Sequence, residues 1–158
     1  MSLTHITPLV ADSAAFGSLA ADLAAGASRH LHDIPAAARP ALVAAIRGVH
    51  RGPILVLASR EDRAADLAAT IRSWLPDSAQ VVDWPAPEAF PYEPLPLDRV
   101  VSARRVALLD RLGGVGDDAA VIVTSVPALA RPVLSPADLS AHRRDLRVGD
   151  RVDPADLR

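Results

Sequence analysis

Arginine is the side chain with which this sequence could grip an anion, because its 158 residues include no lysine, no cysteine and no asparagine. A GC-rich coding bias accounts for the imbalance, but the chemical consequence holds regardless. No Schiff base, lysine general base, phosphate-loop lysine, disulfide, thiolate nucleophile or cysteine-ligated zinc can be built here. The stretch Leu31-His32-Asp33-Ile34-Pro35-Ala36-Ala37-Ala38-Arg39-Pro40-Ala41-Leu42-Val43 precedes a helical pattern, where a glycine-rich loop would hold phosphates with its amides. It contains no glycine. Pro35 and Pro40 remove donors and the alanine methyl groups keep a phosphate from the backbone, so Arg39 alone is left to touch one.

The other chemistry-bearing residues are scattered. His30 and His32 share a face only if their stretch is extended, and His5, His50 and His142 lie far away in sequence, so no metal-ligand spacing emerges. Ser59, Ser125 and Ser135 read as turn or cap residues, with no nucleophile elbow around them. Glu88 and Glu93 fall in a proline-rich loop with nothing near to raise a pKa, and read as solvated. Arginines cluster at Arg99, Arg104, Arg105 and Arg111, and again, with His142, at Arg143, Arg144, Arg147 and Arg151. Interleaved Asp98, Asp110, Asp145 and Asp150 cancel much of their field, and Arg104 and Arg105 project from adjacent helix faces, so only one can line a groove. Trp84, Phe90 and Tyr92 form an aromatic group among prolines. They either anchor the loop on the sheet edge or dock a protein.

The elements that must position these residues follow from periodicity. Helical spacing runs through Phe16, Leu19, Ala20 and Leu23 within 12–25, and through Leu42, Val43 and Ile46 within 36–49. The apolar run Pro53-Ile54-Leu55-Val56-Leu57-Ala58 suits a parallel strand buried on both faces in the middle of a sheet. Ser59 is the expected cap of the next helix, whose apolar face holds Leu67, Ile71, Trp74 and Leu75 before Pro76 ends it. A second strand follows at Gln80-Val81-Val82-Asp83. Five prolines between Trp84 and Leu97 then exclude helix and ladder alike.

Asp98 caps a third long helix, with Val101, Arg105, Leu108 and Leu112 on one line. Ala119 to Thr124 is a third apolar strand, again expected mid-sheet. Alternating strands and helices imply a parallel α/β sheet. Beyond Ser125 a short helical turn is followed by a loop marked by Pro132, Pro136 and Asp138. Composition then becomes charged: Asp145 to Asp150 reads as a new strand, and a helix capped by Asp153 has no length before the chain stops, so Arg158 reads as a truncation point. The net charge of −2 gives no domain-wide polyanion surface, and no apolar run approaches membrane-spanning length. A cytoplasmic protein is the expectation.

Three blocks now carry a resemblance. They are Ile54-Leu55-Val56-Leu57-Ala58-Ser59-Arg60-Glu61-Asp62-Arg63-Ala64-Ala65-Asp66-Leu67; Trp84-Pro85-Ala86-Pro87-Glu88-Ala89-Phe90-Pro91-Tyr92-Glu93 with Arg104-Arg105-Val106-Ala107-Leu108-Leu109; and Val121-Ile122-Val123-Thr124-Ser125-Val126-Pro127-Ala128-Leu129. Together they resemble the amino-terminal end of the bacterial transcription-repair coupling factor, which is related to the first domain of the excision-repair helicase subunit UvrB. The middle block is the most specific.

The resemblance implies a degenerate RecA or helicase-like α/β domain over 1–134, then a linker and the truncated beginning of a small UvrA-binding domain over 135–158. UvrB-like proteins carry a phosphate loop at the position of Ile34 to Pro40 and a DNA-clamping hairpin near Phe90-Pro91-Tyr92, and this sequence has neither motif. What it implies is therefore a non-catalytic module, without cofactor or metal, that helps recruit UvrA mainly through the following domain. RNA polymerase, DNA and ATP-driven translocation belong to later domains of such a protein. The candidate partner-binding residues are Trp84, Phe90, Tyr92, Arg104 and Arg105. The alternative is a nucleotide-binding helicase-type ATPase domain using Arg39.

Overall fold

The computed structural model describes residues 2–76, 79–87, 98–113 and 120–153. Helices α1 (Thr7–Ala11), α2 (Ala14–Ala24) and α3 (Arg39–Val49) precede the first strand, β1 (Ile54–Ala58). Then come α4 (Glu61–Trp74), β2 (Val81–Trp84), α5 (Arg99–Gly113), β3 (Val121–Ser125), α6 (Val126–Leu129) and α7 (Pro136–His142). The three strands form one parallel sheet in the order β1-β3-β2, with Ile54 and Val81 both level with Val121. Helices flank it, as expected for a degenerate RecA-like domain.

Period-two alternation divides the strand residues between two layers. On one face Val121 and Val123 meet Ala44 of α3 and Ala64, Ala68 and Ile71 of α4, with Ile54, Val56 and Ala58 packed alongside. The alanines let these helices lie close to the sheet, with Trp74 packed at the edge of the cluster. On the other face Val82, Trp84, Ala120 and Ala128 pack with Leu108 of α5. Outside the sheet, Phe16 and Leu19 of α2 close over Ala45 of α3.

Several expectations change. The third strand is central, but β1 is an edge strand among the described residues, and Leu55 and Leu57 remain half exposed. An unbroken apolar run looks alike at both positions, because it does not record whether a helix covers its second face. Ser59 does not cap α4: the N-cap is Arg60, whose side chain makes no capping bond. The cap of α2 is Ser13, whose hydroxyl oxygen accepts from the Phe16 amide at 3.3 Å. Asp98 does cap α5, accepting from Val100 at 2.7 Å and Val101 at 3.3 Å.

Thr7–Ala11 is a helix the periodicity left unassigned. It is tied to the end of α4 by the Thr7 hydroxyl, which donates to the Trp74 carbonyl at 3.1 Å. Pro136 starts α7 rather than marking a loop, with Ser135 as its side-chain cap, since proline is tolerated in a first helical turn. Residues 145–150 are not a strand; a turn there places Gly149 at φ 103°.

Candidate functional site

The C-terminal ends of the strands gather the side chains with the most specific surroundings. Helix α4 leaves β1 through a tight turn that puts Glu61 in its first helical position. One carboxylate oxygen of Glu61 accepts the Ala86 amide at 2.8 Å, just past β2, and the other accepts the Ser125 hydroxyl at 2.6 Å, at the end of β3. Ser125 also accepts the Ala128 amide at 3.2 Å and so starts α6. One acidic side chain thus joins the exits of all three strands.

Beside this clip Trp84 is buried, and the Arg105 guanidinium of α5 lies 4.7 Å from its ring centre. Arg105 is only 7% exposed. Its Nη1 donates to the Pro85 carbonyl at 2.7 Å and the Ala128 carbonyl at 3.5 Å, and its Nη2 is buried without a hydrogen-bond partner among the described residues. Desolvation pulls the guanidinium below the ordinary arginine range, opposed by the charge of Glu61 and reinforced by that of Arg131. The Thr124 hydroxyl donates to the Trp84 carbonyl at 3.0 Å, fixing the strand end beneath.

The candidate partner-binding residues therefore separate. Trp84 and Arg105 form a buried anchor at the root of the proline-rich segment. Arg104 is exposed and pairs with Asp83 at 3.0 Å. Phe90, Tyr92, Glu88 and Glu93 lie outside the described residues. In the second arginine cluster, Arg143 reaches Asp110 of α5 at 2.7 Å and Asp145 at 3.2 Å, while Arg144, Arg147 and Arg151 are exposed. The sequence does not single out Glu61, because no local signal marks a side chain whose two partners lie 25 and 64 residues away.

The stretch Ile34 to Pro40 lies beside the end of β1. Ala36–Ala38 form a single 3-10 turn leading into α3, and Pro40 occupies that helix's first turn. Arg39, Arg60 and Arg63 line a groove of about 690 Å³ with Ala58, Ser59 and Asp66. Arg60 is held by both oxygens of Asp62 at 3.0 Å, which leaves Arg39 and Arg63 to face solvent. His30 and His32 are exposed, and among the described residues no group of three or more His, Cys, Asp or Glu side chains could hold a metal ion. No described helix is long and apolar enough to cross a membrane.

No family model matches the chain, and no solved structure matches it at a level that establishes kinship. Among curated proteins it is 30% identical over 143 residues to a transcription-repair-coupling factor of Myxococcus xanthus. The aligned stretch is 87% of this chain but only 12% of that relative, so the chain spans about an eighth of its length. Over that stretch the chain is related to a transcription-repair coupling factor.

Proposed function

We propose that the chain is a non-catalytic module of a transcription-repair coupling factor that helps recruit UvrA for nucleotide excision repair at stalled RNA polymerase. The observation that carries this reading is the match of nearly the whole chain to one segment of a coupling factor. In this reading residues 1–134 are the degenerate UvrB-like domain, and 135–158 are a linker and the start of the small UvrA-binding domain. The parent is a cytoplasmic ATP-dependent DNA translocase whose later domains contact DNA and RNA polymerase.

Trp84, Phe90, Tyr92, Arg104 and Arg105 are its proposed partner-binding group, with the buried Trp84 and Arg105 anchoring what the others present. A version of the chain extended through the next domain is expected to co-elute with UvrA on gel filtration. Separate elution at micromolar concentrations of both proteins would sink the proposal.

One observation favours a second reading, in which the domain binds a nucleotide. The groove lined by Arg39, Arg60 and Arg63 opens at the C-terminal end of β1, the end at which open α/β sheets bind ligands. Against it, Pro40 withdraws an amide from the start of α3 and Asp62 engages Arg60. Titration with ATP and magnesium is expected to leave the melting temperature unchanged. A saturable rise of several degrees would favour the nucleotide reading over the non-catalytic one.

A further inference from the structure

The outer edge of β2 has no neighbouring strand among the described residues and lies between two arginines that arrive from opposite faces of the sheet. Among the described residues β2 pairs only with β3. The Gln80 carbonyl accepts the Val121 amide at 2.8 Å, so the backbone groups of Gln80 and Val82 face β3. By the alternation of a strand, those of Val81 and Asp83 face outward. Arg72 of α4 donates to the Val81 carbonyl at 3.3 Å, and Arg104 of α5 reaches round the edge to one oxygen of Asp83 at 3.0 Å. The other Asp83 oxygen is buried with no hydrogen-bond partner among the described residues. A cavity of about 310 Å³ opens beside these groups, floored by Val82, Ala107 and Leu108.

We propose that this edge accepts an extended acidic segment of a partner protein as an added strand. The incoming backbone pairs with the outward amides and carbonyls of Val81 and Asp83, and its carboxylates draw Arg72 from the Val81 carbonyl and Arg104 from Asp83. Asp83 decides between anions. Its carboxylate lies on this edge and would repel a phosphodiester running along it, while a peptide brings N–H donors that the outward carbonyls of Val81 and Asp83 accept. A basic segment would meet both arginines. The surface therefore matches backbone donors combined with acidic side chains. The inference does not depend on the recruitment reading, because it specifies the chemistry of the occupant and not its identity.

The test uses a fluorescein-labelled peptide of about eight residues alternating glutamate and valine. Three comparison probes are the same peptide N-methylated at alternate amides, a lysine-valine peptide, and a single-stranded DNA oligonucleotide. Fluorescence anisotropy at low salt is expected to show saturable binding of the glutamate peptide alone. The double variant R72Q/R104Q should weaken that binding at least about tenfold, since two charge-assisted contacts are lost. The N-methylated probe keeps every charge and leaves the protein untouched, so it decides the matter even if the double variant misfolds. No saturable binding of the glutamate peptide at millimolar concentration, equal binding of the N-methylated peptide, or preference for the lysine peptide or the DNA each overturns the proposal.

Discussion

Trp84→Ala is expected to lower stability by about 3–5 kcal/mol, the range for truncating a large buried aromatic to alanine. Trp84 is 7% exposed and lies at the end of β2, packed with Val82, Leu108, Ala120 and Ala128. With no described aromatic side chain near enough to fill the space, most of the cavity should persist. The change also strips the ring from the Arg105 guanidinium, which among the described residues then keeps its hydrogen bonds to Pro85 and Ala128. Because small domains are stable by only about 5–15 kcal/mol, much of the folded margin disappears. Urea denaturation followed by circular dichroism measures the loss.

A double-mutant cycle with Arg105→Met separates packing from the cation–ring contact. Methionine keeps much of the arginine's volume and removes a buried charge, so it should cost less than alanine would. A coupling of about 0.5–2 kcal/mol between the two positions is expected from a partly desolvated cation over an aromatic face. A loss below about 1 kcal/mol for Trp84→Ala would mean that this end of the sheet is not packed as described.

The same neighbourhood shows what the sequence makes legible. All three strands fall within a residue or two of their expected places, and β3 is central as expected. Arg105 was visible in a limited sense: it shares a helical line with Val101 and Leu108, and a charged residue on an apolar line is either buried with partners or placed at an edge. Which of these holds depends on where Trp84 and the Pro85 carbonyl lie across the β2–α5 connection, and no periodicity reports that.

The edge position of β1 was hidden for a related reason. Leu55 and Leu57 satisfy a buried-strand pattern whether or not anything covers them. Capping failed where one serine stood close to another plausible start. Ser59 precedes a helix with a favourable acidic first turn, yet the chain enters α4 one residue later, at Arg60, and the acid used for the turn is diverted into tertiary contacts.

That diversion leads to the second large effect: Glu61→Ala is expected to cost about 2–4 kcal/mol. Two donors lose their acceptor at once, the Ala86 amide and the Ser125 hydroxyl, and each unsatisfied donor away from water costs about 1–3 kcal/mol. Ser125 has no solvent exposure, so water cannot readily replace the carboxylate there, whereas Ala86 is only half-buried and recovers part of its loss. Glu61→Gln retains the shape and one carbonyl oxygen, which can keep the Ala86 amide. Its NH2 group must then face a hydroxyl that already accepts from Ala128, so Ser125 has to redirect its hydrogen and glutamine should recover about half of the loss.

Ser125→Ala removes one arm of the clip and the cap of α6 together, so combining it with Glu61→Ala should be less damaging than the sum of the two. Hydrogen exchange at the Ala86 amide separates a clip from a general loss of stability. Its protection should fall in Glu61→Ala by more than that of the central Val123 amide, and should survive in Ser125→Ala, where the other carboxylate oxygen still holds it. Equal exchange at Ala86 in all three proteins, with Glu61→Ala and Glu61→Gln equally stable, would show that the three strand exits are held together by packing alone.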